Sequence, residues 1–363
     1  MNRMMKFPFY ARVALTLFAI GLVILFMWTG KSILIPLFFA FLISILLHPV
    51  VDFFEKKRFP RALASLLTIL IFLILIAGLF YFFSRQVSRL SRDMPAIQAK
   101  IAAQLQDVQS WIYNKYHINN SQQAAYASKT ANGILNTAVN SAATTFLSIA
   151  ETLILTIFIF IFSFFILFHR RLLMRFLLAL FDDQHNKRVS IIVSKVRLLI
   201  NNYVLGLLME MMILMILIFT TLMIIGIKYA LLLSVMAAIL NIIPYFGIYV
   251  SMALAVLVTM ANGSGGEAVA VVIVFLAAHF IDANVFLPRI VGGQVKMNPF
   301  ITLLAVLIGH LIWGIPGMFL FVPLTAMIRL ISEEIPAMNP WAILIGEEKF
   351  PGRKEKNKPP PAS

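Results

Sequence analysis

The chain has 363 residues, of which 61% are apolar and only 12% charged, and its mean hydropathy is +0.93. Soluble domains carry about 25% charged residues, so this composition excludes a soluble protein and indicates that a lipid bilayer is the main solvent. The net charge is +15, but the basic residues lie at the ends of apolar runs and form no patch suited to nucleic acid. The absence of cysteine excludes disulfides and thiol nucleophiles.

Six apolar runs predict membrane-spanning helices, since about 20 helical residues cross a hydrocarbon core. No small-residue cleavage pattern follows the first run, so we interpret it as a retained span and not as a signal peptide. Basic residues before the first run and between the second and third place both segments in the cytoplasm. The predicted spans cover approximately residues 11–29, 33–53, 62–83, 148–168, 200–226 and 266–288.

The polar segment 85–147 carries apolar residues at helical spacing, which predicts an amphipathic helix that restarts near Pro95 and is followed by a second helix. By alternation this insert lies outside the cytoplasm. A folded loop, a lid and an oligomer contact all fit it. Residues 171–198 are basic and amphipathic, which is typical of a cytoplasmic surface helix. The resulting domains are 1–84, 85–147, 148–198, a transport core at 199–345 and a disordered basic tail at 346–363.

Two apolar blocks in the last third are too long for one span and are each interrupted by Pro and Gly. The first break lies at 241–247 and the second at 309–317, which leaves arms of about 12 and 14, then about 12 and 15 residues. Such arms predict broken helices or re-entrant hairpins. The predicted fold is therefore an all-α polytopic membrane protein. Hinge or structural roles are expected for Pro288, Arg289, Gly292, Gly293, Pro299, Gly309, Gly314, Pro316, Gly317 and Pro323.

Ionisable residues inside the spans are candidate transport residues, because burying them in a membrane costs a few kcal/mol each. Asp282 follows His279 by one helical turn, and with Asn284 nearby this group could bind a cation or pass a proton. Alternatively, Asp282 pairs with Arg289. Glu210 lies in the fifth span and either exchanges protons or forms a hydrogen-bonded strut.

The predicted hairpin tips supply a second set of candidates. Unwound backbone carbonyls suit a cation, and the N-termini of half-helices suit an anion or a polyol oxygen. A simple helix break without a binding role explains the same Pro and Gly residues. The tip candidates are Asn241, Pro244, Tyr245, Gly247 and His310.

Three stretches of the last third resemble the signature of the autoinducer-2 exporter family. They begin with Gly226-Ile-Lys-Tyr and Asn241-Ile-Ile-Pro-Tyr-Phe-Gly, then Asp282-Ala-Asn-Val-Phe-Leu-Pro-Arg-Ile-Val-Gly-Gly, and finally Asn298-Pro with Gly309-His-Leu-Ile-Trp-Gly-Ile-Pro-Gly. The resemblance implies a homo-oligomeric permease of the bacterial inner membrane, with cytoplasmic termini, that exports a quorum-sensing signal. Some family members are described as sodium-proton antiporters, so the resemblance does not fix the substrate.

Motifs of enzymes are absent from the sequence. It contains no Walker loop, dinucleotide-binding turn, nucleophile elbow or paired-His metal motif. We therefore predict a transporter without catalytic residues, cofactor or metal, whose partners are the bilayer and a small-molecule or ion substrate. A small-solute exporter is the first hypothesis, a sodium or lithium/proton antiporter the second, and a membrane scaffold without transport activity the third.

Overall fold

The computed structural model describes residues 8–116, 149–242, 247–263, 265–292 and 296–347. Within these ranges the secondary structure is helical, apart from an isolated bridge between Met297 and Gly346. The predicted all-α polytopic fold is confirmed. The predictions made for Pro244, Tyr245, Gly293, most of the insert's second half and the tail beyond residue 347 lie outside the described residues.

The helices are numbered here in chain order. A π-helical segment, wound more widely than an α-helix, covers Asp282–Gly292, and a 3-10 turn covers Pro336–Met338. The α-helices are α1 Phe9–Thr29, α2 Lys31–Lys56, α3 Arg61–Tyr116, α4 Ile149–Phe168, α5 Arg170–Ala179, α6 Asp183–Ile225, α7 Ala230–Leu240, α8 Gly247–Asn262, α9 Gly265–Ile281, α10 Pro299–Trp313, α11 Ile315–Glu334 and α12 Asn339–Ile345.

Six helices in the described ranges are long and apolar enough to cross a membrane, or seven if the adjoining α4 and α5 count as one span. They include α1, α2, the first part of α3, α6, α9 with the start of the π-helical segment, and α11. The polar N-terminal part of α6 runs into its apolar part without interruption. α7, α8 and α10 are apolar but shorter than a span.

α3 differs from the prediction. The sequence predicts a span at about 62–83 and then an amphipathic helix that restarts near Pro95. In the structure α3 continues unbroken for 56 residues through Pro95, which corresponds to about 84 Å of helix. A proline inside a helix removes one backbone hydrogen bond and clashes with the carbonyl four residues earlier, which usually kinks or ends a helix, but α3 continues past Pro95. The amphipathic stripe of the insert is therefore a direct extension of the third span.

One compact unit comprises residues 36–170 and 204–290. Its larger apolar core is formed where α6, α7, α8 and α9 pack together. The side chains of this core that are fully shielded from solvent include Leu214, Ile218, Leu222, Ala255 and Phe275.

A second core in the same unit joins α2, α3 and α4 around Val51 and Leu167. Small polar side chains also lie between α2 and α4. The Ser44 hydroxyl, buried with Ser163, donates to the Ala40 carbonyl at 2.6 Å. A hydroxyl bonded to its own helix can be buried at little cost, because its donor has a partner.

The break between α7 and α8 lies where the sequence predicts it, after Asn241. The turn that leads into α7 has two residues with positive φ, Gly226 at 87° and Tyr229 at 69°. At the other end of the break, a Cβ on Gly247 would overlap the backbone carbonyl of Leu240. A glycine at position 247 therefore lets the start of α8 approach the end of α7.

The other compact unit comprises residues 1–35, 171–203 and 291–363, and in it α10 and α11 form a helical hairpin. The Asn298 side chain caps α10 by accepting from the Phe300 N–H at 2.9 Å, and Pro299 occupies the first turn. The helices are separated only by Gly314, whose φ is 65°. The break is thus narrower than predicted.

Close contact between α10 and α11 depends on two glycines. A Cβ on Gly309 would overlap the Gly317 carbonyl, and one on Gly317 would overlap the Gly309 carbonyl. Pro316 lies in the first turn of α11 and Pro323 in its interior. α11 has 20 residues and not the expected 15 or so, so it is long enough to cross a membrane.

Candidate functional site

Three polar side chains from distant parts of the sequence meet inside the unit formed by residues 36–170 and 204–290. The Asn241 amide nitrogen donates to Glu210 Oε1 at 3.0 Å and to Asp282 Oδ2 at 3.2 Å. Glu210 is 1% exposed and Asp282 is 5% exposed. One amide therefore links two buried carboxyl groups, and we call these three residues the carboxyl cluster.

Each carboxyl group in the cluster also has an oxygen without a hydrogen-bond partner among the described residues. These atoms are Glu210 Oε2 and Asp282 Oδ1, and both are buried. A buried acceptor without a partner is costly. The two carboxyl groups accept from the same amide nitrogen and are therefore close together, so a proton or a small cation between them would offset both the missing partners and the repulsion of like charges.

Each member of the cluster has a distinct place in the helical structure. Asn241 ends α7 at the break, and Asp282 begins the π-helical segment after α9. π-helical turns occur frequently at functional sites. Glu210 lies on the continuous helix α6. Glu210 on the continuous helix α6 thus faces the end of α7 and the start of the π-helical segment. Movement of either helix end would change the distance between Glu210 and Asp282.

Gly206 allows the π-helical segment to approach α6 one turn before Glu210. A Cβ at this position would lie 2.9 Å from the Ile290 backbone oxygen. Gly206 was not identified from the sequence, because a lone glycine within an apolar span carries no distinguishing pattern. Gly206 precedes Glu210 by one helical turn, and this spacing is the signal in the sequence that could have identified it.

Neither His279 nor Asn284 hydrogen-bonds to Asp282, although His279 is near enough to act on its charge. The His279 ring packs edge to face against Tyr249, with 5.3 Å between ring centroids. The Asn284 amide donates to the Phe280 carbonyl at 2.8 Å and is exposed.

Arg289 does not pair with Asp282 in the structure. Its side chain is exposed, whereas Asp282 is buried and bonded to Asn241. The geometry therefore favours the carboxyl cluster over the alternative pairing of Asp282 with Arg289.

The remaining predicted positions take no part in the hydrogen bonds of the carboxyl cluster. His310 is exposed in the last turn of α10 and belongs to the other compact unit, as do Gly309, Gly314, Pro316, Gly317 and Pro323. Pro288 and Gly292 lie within the π-helical segment. In the described ranges, no group of three or more His, Asp or Glu side chains could hold a metal ion.

Several long apolar helices define a multi-pass membrane protein, and a polar cluster buried among such helices is typical of transporters. The model of the family described as AI-2E family transporter matches residues 15–337. The chain belongs to this family, as the resemblance of its last third indicated.

The relatives are also named for transport. YrrI of Bacillus subtilis, named as a candidate transport protein, is 28% identical over 311 residues that cover 83% of this chain and 86% of the relative. YueF of the same organism, named in the same way, is 24% identical over 312 residues that cover 82% of this chain and 83% of the relative. The similarity to YhhT of Escherichia coli is 30% identity over 134 residues, or 37% of each chain. These names support transport and name no substrate.

Proposed function

We propose that this protein is a permease of the bacterial inner membrane that exports a small polar solute by alternating access, driven by exchange of a proton or a monovalent cation at the carboxyl cluster. The observation that carries the proposal is the pair of buried acids, Glu210 and Asp282, which share one amide donor and each have an unpartnered oxygen among the described residues. The family description and the quorum-signal exporters that the sequence resembles support a small polar solute as cargo.

Charge at the cluster provides the coupling. Two negative charges at this depth repel each other and lack water to screen them, so one proton or cation is expected to neutralise part of the pair. Loss of that ion would raise the repulsion between Glu210 and Asp282. Because Asn241 and Asp282 lie at helix ends, the increased repulsion favours a conformation in which the two acids are farther apart.

A sodium or lithium/proton antiporter is the second candidate, and the same cluster favours it, because the two unpartnered carboxyl oxygens can bind a small cation. In that case the cation is the cargo and not the driving ion. The scaffold hypothesis requires no buried acids, and the cluster offers it no support.

Flux into proteoliposomes, measured with and without an imposed proton or sodium gradient, tests the proposal. We expect Asp282→Asn to lower flux at least about tenfold, and Glu210→Gln to leave downhill flux while removing its dependence on the gradient. Glu267→Gln is the matched control, because Glu267 lies in the first turn of α9, away from the cluster.

The outcomes separate the candidates. Gradient-dependent movement of a solute such as autoinducer-2 supports the exporter, whereas cation exchange without solute movement supports the antiporter. Wild-type flux in both cluster variants at equal expression would refute a transport role for the acids. Absence of any flux in the wild type would favour a scaffold.

A further inference from the structure

A cavity of about 570 Å³ lies between the outer part of α3, the end of α6 and the turn into α7. All of its lining residues belong to the unit of residues 36–170 and 204–290. It is separate from the carboxyl cluster, since none of the cluster residues lines it. The lining combines a basic side with an apolar side.

The basic side is built from α3 and from the turn before α7. Arg89 and Arg92 are three positions apart on α3 and therefore share a face. Lys228 extends from the turn and donates to Asp93 Oδ2 at 2.8 Å. The Tyr229 hydroxyl bonds the same carboxylate. These bonds lower the pKa of Asp93 and raise the pKa of Lys228, so both remain charged near neutral pH.

Because Asp93 is engaged by Lys228 and Tyr229, it does not neutralise the arginines. Neither Arg89 nor Arg92 forms an ion pair with any residue that the structure describes. The basic side therefore presents two guanidinium groups, which are well suited to bind a phosphate.

The apolar side of the cavity is supplied by α6 and α7. Phe219, Met223 and Leu231 line it. The apolar part of α3 ends at Leu90 and α6 ends at Ile225, so the cavity lies at one end of two spanning helices. A site with cations at a membrane boundary and apolar side chains beside them suits a phospholipid. The cations would bind its phosphate, and the apolar side chains would contact its acyl chains.

The predicted topology makes these cations unusual. The insert that continues α3 is expected on the non-cytoplasmic side, where Lys and Arg close to a span are normally depleted. Two arginines on that side, without an ion-pair partner among the described residues, therefore favour a bound anion. The headgroup region of a bilayer lies at the ends of spanning helices, so a lipid phosphate is an anion within reach of these arginines.

We propose that this cavity binds an anionic phospholipid, with the phosphate held by Arg89 and Arg92 and an acyl chain lying along Met223 and Leu231. The site does not depend on the proposed transport function. It places a lipid between α3, the end of α6 and the turn into α7. A bound lipid would contact both α3 and the turn into α7, and would therefore connect the insert to the first broken helix pair.

The test uses full-length protein purified in detergent and stripped of lipid. Phosphatidylglycerol or phosphatidylcholine is titrated in, and the fraction of protein that retains one lipid is measured by native mass spectrometry. We expect tighter binding of phosphatidylglycerol, weakened about tenfold or more in Arg89→Gln/Arg92→Gln. Arg89→Lys/Arg92→Lys should bind more tightly than the glutamine variant and more weakly than the wild type, because it keeps the charge and loses the bidentate guanidinium geometry.

The control variant Lys187→Gln/Arg188→Gln removes the same charge from exposed positions on α6 outside the cavity. Equal weakening in this control, or unchanged binding in the Arg89/Arg92 glutamine variant, would overturn the proposal. Glycerol 3-phosphate serves as a soluble competitor. If it displaces phosphatidylglycerol effectively, the site recognises a soluble phosphate and the lipid assignment is wrong.

Discussion

At the scale of single residues, Asn241 is the side chain that joins the two buried acids. Its amide nitrogen is 3.0 Å from Glu210 Oε1 and 3.2 Å from Asp282 Oδ2. In Asn241→Ala both acceptors lose this donor, and leaving a buried acceptor unpaired costs about 1–3 kcal/mol. We expect a lower melting temperature in detergent together with reduced flux in proteoliposomes.

Asn284→Ala is the matched control for that substitution. The Asn284 amide donates to the Phe280 carbonyl in the last turn of α9, is exposed, and lies two residues from Asp282. We expect this variant to keep wild-type flux and stability. If Asn241→Ala and Asn284→Ala behave alike, the shared amide has no special role in holding the acids.

The sequence identified Glu210 and Asp282 as candidates because ionisable residues inside apolar spans are costly, and Asn241 because it lies at a predicted hairpin tip. It did not predict that they touch. The bonded pairs are 31 and 41 residues apart in sequence, and periodicity within one helix carries no information about which face meets another helix. The cluster was therefore predictable as a set of residues but not as a site.

At the scale of helices, the contact between α6 and the π-helical segment positions Asp282 against Glu210. A side chain at position 206 would meet the Ile290 backbone, with a Cβ only 2.9 Å from its oxygen. We expect Gly206→Val to push the segment away and to reduce flux about tenfold or more, because a small displacement of reacting groups is costly. The measurement is proteoliposome flux at equal expression.

Gly78→Val is the control for Gly206→Val. Gly78 lies on α3, and a Cβ there would meet nothing within 4 Å. Wild-type flux is expected in this variant, since the same valine is added to an open helix face. Comparable flux in both valine variants would show that close approach at Gly206 does not set the geometry of the cluster.

The ends of helices were predictable where hydropathy changes sharply along the chain. They were harder to predict at prolines and glycines. Runs of apolar residues located the spans, and Pro and Gly located the break after Asn241. The continuation of α3 through Pro95 was missed, because proline is equally compatible with a helix start and, at the loss of one hydrogen bond, with a helix interior. The length of α11 was underestimated because Pro316 and Gly317 start a helix there instead of ending one.

At the scale of the whole molecule, membrane topology follows from helix lengths. α7 has 11 residues and α8 has 16, or about 17 and 24 Å, so neither crosses a core of about 30 Å. As a pair they are expected to enter and leave on the same side. The chain just before α10 and the chain just after α12 also meet, since Met297 bridges Gly346 and the Glu347 N–H donates to the Lys296 carbonyl.

Cysteine accessibility tests this topology without background, because the natural chain has no cysteine. Single cysteines replacing Lys228 and Gly265 flank the α7–α8 pair, and both should react with an impermeant thiol reagent from the non-cytoplasmic side. Cysteines at Lys296 and Glu347 flank the second pair and should react only from the cytoplasm. All four positions are exposed on the protein surface, so lack of reaction does not report burial within the protein. A cysteine at Gly265 that reacts only from the cytoplasm would mean that α7 and α8 together cross the membrane. The re-entrant arrangement would then be wrong, and Asn241 would lie along a crossing segment instead of at the tip of a hairpin.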